Sequence, residues 1–170
     1  MSDGSSLLQG FGVVAAVGLG GRLSVKLPIS PVPVTGQTFM LQLAAHMVGP
    51  KVAAAAMSGL VSFELLLAHR VGVTVASTKG GRHTIGFLLG FVPAAAVYGW
   101  SATKPREMQT LPLLTCSGLA GSGVVLAFGA AGLFLSGIHN VASAVLPLVP
   151  GSICKSLAAA AVFLCLKPKE

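Results

Sequence analysis

Lys155 is the cation in this chain that is hardest to explain as solvated surface. It follows Pro147-Leu148-Val149-Pro150-Gly151-Ser152-Ile153-Cys154 and opens an alanine-rich apolar run. Ser152 stands three residues earlier, so on a helix the two side chains share one face. An ammonium inside a membrane segment needs an anion or several acceptors to offset its lost hydration. The competing account is a lysine early in its span that stretches its charge out to the interface. A second basic group, Lys79-Gly80-Gly81-Arg82, sets two cations beside two glycines whose backbone N–H groups can converge on an anion. Taken alone, that segment reads equally well as a flexible basic loop. Glu64 and His46 are polar residues inside otherwise apolar runs. A carboxylate there costs about 2.5–3.5 kcal/mol on insertion scales, so Glu64 is expected to face the bundle interior or be neutral. His46 is expected to hydrogen-bond helix backbone rather than a ligand.

No catalytic constellation accompanies these residues. The sequence has no nucleophile motif, no paired carboxylates, no H-E-x-x-H spacing for a metal and no G-x-x-x-x-G-K-[ST] phosphate loop. The expectation is therefore a protein that is not an enzyme and needs no metal or cofactor. If ATP drives its work, another subunit must hydrolyse it.

The elements that position these groups follow from composition. Of 170 residues 54% are hydrophobic and 9% are charged, whereas a soluble domain carries roughly 25% charged residues. The run from Met108 to Cys154 contains no Asp, Glu, Lys or Arg and is long enough to cross a bilayer twice at about 20 residues per span. The chain is an integral membrane protein, and its solvent is the lipid bilayer. The net charge of +7 is carried by cations scattered between apolar runs, with no aromatic-interleaved basic patch, so nucleic acid is excluded as a partner. Cys116, Cys154 and Cys165 lack paired spacing and read as small buried hydrophobes. Met1 to Ser6 carries only Asp3 and no positive region, so the first apolar run is expected to be a retained span.

Glycine, proline and charge divide the chain into six segments. The first runs from about Leu7 to Leu23, and Gly12, Ala16 and Gly20 place small residues on one of its faces, suited to close helix packing. Thr38 to Val48 is the second, stopped by Gly49-Pro50-Lys51. Val52 to about Ala68 is the third, and the second and third are short for a full crossing. His69 to Thr84 reads as a loop. Ile85 to Ala102 is the fourth, with Tyr98 and Trp100 expected in an interfacial aromatic belt. Leu111 to Ile138 is the fifth, and the sixth ends at Leu166. With both termini on one side, that side holds Lys51, Lys104, Arg106, Lys167 and Lys169, and the other holds Arg22, Lys26, Arg70, Lys79 and Arg82. The positive-inside rule ties. A side as basic as the second suits the gathering of an anion.

Between the first two segments lies Pro28-Ile29-Ser30-Pro31-Val32-Pro33-Val34-Thr35-Gly36-Gln37. Pro28, Pro31 and Pro33 remove three N–H donors and fix three φ angles, which rules out helix and predicts an extended connector. Such backbone is tolerated at the edge of a hydrophobic layer where it is buried in protein or lines a cavity.

Three stretches together resemble the BioY family, the biotin-binding S components of energy-coupling factor (ECF) vitamin transporters. The connector matches its P-V-P-[VI]-T-x-Q-T pattern. Lys79-Gly80-Gly81 resembles part of its G-G-x-G-G-L segment, and Arg82-His83-Thr84-Ile85-Gly86-Phe87-Leu88-Leu89-Gly90-Phe91 resembles its G-P-T-G-G-Y-L-L-G-F. Pro150, Gly151 and Lys155 match P-x-x-P-G-D-x-x-K, with Ser152 where the family has an acid. The loop between the glycine motifs is shortened, and Gly72-Val73-Thr74-Val75-Ala76 replaces the family's Gly-x-Pro-Val-Phe. The resemblance implies an all-α membrane protein of about six transmembrane helices, one domain over residues 1–170, in the cytoplasmic membrane. It implies a ligand cavity in the outer half, capped by the connector and the Lys79 loop. Biotin is then the transported ligand, bound by Lys155, Ser152, Lys79, Gly80, Gly81, Arg82, Thr84, Gln37 and Thr35. An ECF transmembrane subunit docks on Gly12, Ala16 and Gly20, and ATPase subunits supply energy. The alternatives are an S component for another small anionic vitamin, which Ser152 permits, and a small membrane protein without a ligand.

Overall fold

The computed structural model describes residues 3–25, 33–71 and 85–167. Six helical segments carry the chain back and forth. They are α1 (Asp3–Arg22), α2 (Gln37–Val48), α3 (Pro50–Val71), α4 (Ile85–Gly99), α5 (Leu111–Leu135) and a broken sixth made of α6 (Val141–Val145), a 3-10 turn (Leu146–Leu148) and α7 (Val149–Leu166). Two short strands, β1 (Ser24–Val25) and β2 (Val34–Thr35), pair antiparallel at the mouth of the connector. Five segments are long and apolar enough to cross a membrane: α1, α3, α4 with the turn after it, α5, and the sixth. The exception is α2, whose 12 residues rise only about 18 Å. The chain is a multi-pass membrane protein.

The outer helices bury one narrow stripe each and leave the rest to lipid, whereas α4, with the turn after it, is 56% buried and sits at the centre of the packing. α1 buries Val13, Val17 and Gly20, while Leu8 and Phe11 point outward at 75% and 73% exposure. α3 buries Ala53, Met57, Val61 and Glu64, a run at helical spacing. Glu64 thus faces the interior, as a carboxylate in hydrocarbon should. Since lipid is as apolar as the core, large apolar residues need not turn inward. The cysteines follow that logic and correct the expectation of burial: Cys116, Cys154 and Cys165 are all exposed on outward faces.

Close approach, rather than bulk burial, joins α4 to α5. A Cβ on Gly86 would lie 2.5 Å from Phe128 O and 2.8 Å from Gly132 Cα, so the backbones touch there. Farther along the seam, rings of α4 fill the gaps that α5 glycines leave. Phe87 lies on Gly129, and Tyr98 on Gly121. Tyr98 is fully buried and shares a 3.1 Å hydrogen bond with Ser122, which corrects its assignment to the interfacial belt. Trp100 is the outward ring of the two, at 47% exposure with Lys104 Nζ 4.2 Å over it.

The break between α2 and α3 is a single residue. Gly49 adopts φ +85°, which reverses the chain where a side chain would be strained, and its N–H still donates to Ala45 O at 2.9 Å. Pro50 then begins α3, where no intrahelical N–H is needed. The bundle has two distinct ends. The connector, the start of α7 and the end of α1 share one; Gly49, the α4–α5 hairpin and the end of α7 share the other.

Candidate functional site

The connector closes against three helices. Gly36 N–H donates to Leu23 O at 2.8 Å, and a Cβ on Gly20 would meet Gly36 O at 2.7 Å, so the end of α1 is seated directly on the connector backbone. Val34 lies over Gly151 at the start of α7, 3.8 Å from where a Cβ would stand. Thr35 Oγ1 donates to Gln37 Oε1 at 3.2 Å, which orients the Gln37 side chain, itself 6% exposed at the first position of α2.

Lys155 reaches into this corner. It is half-buried, and its Nζ donates to Thr35 O at 2.7 Å and to Thr38 Oγ1 at 3.3 Å. Those contacts span 120 and 117 residues of sequence. The ammonium therefore turns toward the connector and α2 instead of stretching along α7 to water. Two of its three N–H groups are used, and among the described residues no carboxylate pairs with it. Ser152, one turn earlier, donates its hydroxyl proton to Leu148 O at 3.0 Å, leaving its oxygen lone pairs as acceptors.

Beneath the lysine the seam between α2 and α7 stays polar. Ser156 donates to Gln42 Oε1 at 3.4 Å, and both residues are fully buried. Gln42 Nε2 packs against Gly118 of α5 and has no hydrogen-bond partner among the described residues. One further turn along α2, His46 Nδ1 lies 2.8 Å from Ser101 Oγ, whose own proton goes to Tyr98 O at 3.1 Å. His46 thus meets helix backbone through an intervening hydroxyl. Thr38, Gln42 and His46 recur every fourth residue, a single polar stripe on an apolar helix. Sequence reasoning weighed His46 alone and missed Thr38, Gln42 and Ser156; that spacing was the available signal.

The structure brings together Thr35, Gln37, Ser152 and Lys155. Lys79, Gly80, Gly81, Arg82 and Thr84, with the proposed cap and the connector prolines Pro28 and Pro31, lie outside the described residues. The small-residue stripe of α1 is divided. Gly20 is taken up by packing on Gly36, Ala16 is half-buried, and Gly12 is exposed with nothing within 4 Å of a Cβ placed on it.

Comparison with known proteins gives this geometry a context. The model of the BioY family matches residues 3–169. The biotin transporter BioY of Thermotoga maritima is 31% identical over 156 residues, covering 86% of this chain and 87% of that protein. Among solved structures, the S-component for biotin from an ECF-type ABC transporter superposes with a TM-score of 0.75. That alignment covers 100% of this chain and 96% of the other at 17% sequence identity, and it establishes the shared fold.

Proposed function

Since this chain belongs to the BioY family, we propose that it captures biotin at the connector end of the bundle and serves biotin uptake as the substrate-binding subunit of an ECF-type transporter. The observation that carries this reading is Lys155, an ammonium drawn into a half-buried corner with one N–H to spare and no carboxylate among the described residues to neutralise it. A buried charge so placed is stabilised by an anionic or strongly accepting ligand. Ser152 offers an acceptor for an N–H of that ligand, one turn from the ammonium. Thr35 and Gln37 fix the corner from the connector side, and the family resemblance assigns Lys79, Gly80, Gly81 and Arg82, which lie outside the described residues, to the same ligand.

The connector end then faces outward, and both termini face the cytoplasm across the cytoplasmic membrane. Energy comes from a transmembrane subunit and ATPases, since the sequence has no phosphate loop of its own. The open face of α1 around Gly12 is the docking surface for that transmembrane subunit, while Gly20 holds the connector in place. The bond-making residues of this site bind and orient; none is arranged to catalyse a reaction.

Ser152 favours a second reading, an S component for a different small anionic vitamin, because a serine cannot give the charge-assisted hydrogen bond that an acid would. Calorimetric titration of the purified protein with biotin and with unrelated anionic vitamins separates the two. Binding of biotin at micromolar concentration or below supports the first. Absence of biotin binding in that range, with binding of another vitamin, replaces it with the second.

A further inference from the structure

Two rungs join α2 to α7 at the binding corner. In the outer one Lys155 Nζ donates to Thr38 Oγ1, and in the inner one Ser156 Oγ donates to Gln42 Oε1. Thr38 and Gln42 stand one helical turn apart on α2, whereas Lys155 and Ser156 are neighbours on α7. Neighbouring side chains leave a helix about 100° apart. A serine is too short to follow a helix that turns or slides, so the inner rung fixes the rotation and height of α7. The direction in which the Lys155 side chain departs is fixed with them.

The Gln42 amide is wedged as well as bonded. Gly118 of α5 lies behind it, where a Cβ would overlap Gln42 Nε2 and stand 3.1 Å from Ser156 Cβ. Three helices thus close on one fully buried amide, directly beneath the ammonium. Stability alone does not account for a glutamine there. Its Nε2 finds no acceptor among the described residues, and a buried donor left unmet is unfavourable. Methionine, unbranched and apolar, fills a slot of this shape without that penalty. Ser156 would then have the carbonyl of Ser152, one turn back on α7, to receive its proton. A residue that costs stability where an apolar one fits is explained by what it holds in place.

We infer that Gln42 is a positioning residue for ligand capture. Through Ser156 it holds α7 in the rotation that turns the Lys155 ammonium toward Thr35 O, Thr38 Oγ1 and the ligand. Without the inner rung α7 is free to turn, and the ammonium is no longer presented in one direction. The inference rests on the reading of Lys155 as the anchor of the ligand. It adds a residue that the ligand does not touch and whose effect is felt only through that anchor.

A double-mutant cycle tests it, with biotin affinity by calorimetry and melting temperature measured in one detergent. The four proteins are the unmodified full chain, Gln42→Met, Lys155→Ala and the double variant. Gln42→Met is expected to weaken biotin binding by about fivefold, the scale of one hydrogen bond, while melting is unchanged or raised. In the Lys155→Ala background the same substitution is expected to cost less than about twofold more, because residues that act through one another are not additive. Should Gln42→Met not fold, Ser156→Ala takes its place in the cycle with the same expected affinities. Unchanged biotin affinity on loss of the inner rung overturns the inference. Equal losses in both backgrounds with a lowered melting temperature also overturn it, by making Gln42 a structural tie. If Lys155→Ala itself leaves affinity unchanged, or the unmodified chain does not bind biotin, the reading of the site fails and this inference falls with it.

Discussion

The seam between α4 and α5 and the seam between α2 and α7 join the same bundle by opposite means. In the first, glycine meets backbone or an aromatic ring at Gly86, Gly121 and Gly129, and Tyr98–Ser122 is a polar pair within it. In the second, contact is made by Lys155 with Thr38 and by Ser156 with Gln42, with the His46 and Phe163 rings 5.7 Å apart at the far end. Inside a bilayer, apolar burial does not separate core from surface, so shape must hold the framework. Polar groups are then free to be placed for a ligand. The first seam joins by shape, and the second is the one that carries the polar side chains.

Several substitutions sharpen or break that contrast. Gly86→Val should have the largest effect, because its Cβ would enter the backbone of α5 at Phe128 O. Overpacking of this kind, with backbone rather than a flexible side chain in the way, is expected to cost upward of about 3 kcal/mol. A collapse of the thermal melting transition in detergent checks it, and an unchanged transition would show that the seam is looser than its geometry. Ser152→Asp acts on the other seam and in the opposite direction. Restoring an acid one turn before Lys155 is expected to tighten biotin binding by about 1–2 kcal/mol, through a charge-assisted bond to the ligand, as read by calorimetry. Weaker binding would mean that the new carboxylate pairs with Lys155 instead. Ser156→Ala should lower melting stability by no more than about 1 kcal/mol, since it removes one long hydrogen bond. Lys104→Ala removes the cation over Trp100 and should change stability by about 0.5 kcal/mol with biotin affinity untouched.

The two seams were unequally legible in the sequence. The helices themselves were plain, because Gly49-Pro50, the Lys104–Glu107 hairpin and the proline connector interrupt apolar runs where the structure turns. Even the shortness of α2 could be read, but the third segment, expected to be equally short, is the 22-residue α3, long enough to cross, because the helix begins at Pro50 and runs past Ala68 to Val71. The break of the sixth segment at Leu146–Leu148 could not be placed, since Pro147 and Pro150 are both compatible with a first helical turn. Tyr98 was misplaced for a geometric reason: it stands two residues from Trp100, which on a helix is a rotation of about 200°, so one ring faces the core and the other points outward. The outward cysteines show that an apolar residue in lipid has no preferred side. In the candidate site, Lys155 and Ser152 were visible as polar residues opening an apolar helix. The acceptors of Lys155 were not, because Thr35 O is a backbone atom 120 residues away, brought near only by the connector folding over α7.

The most direct test of this account is a paired measurement on Lys155→Ala, comparing biotin affinity by calorimetry and melting temperature in the same detergent with those of the unmodified chain. If Lys155 is held for a ligand and the fold rests on the glycine seam, affinity should fall by about 1.5–3 kcal/mol, the scale of a hydrogen bond to a charged group, while melting is unchanged or slightly raised. Unchanged affinity together with a lowered melting temperature would contradict it, and would make Lys155 a structural tie between α7 and the connector.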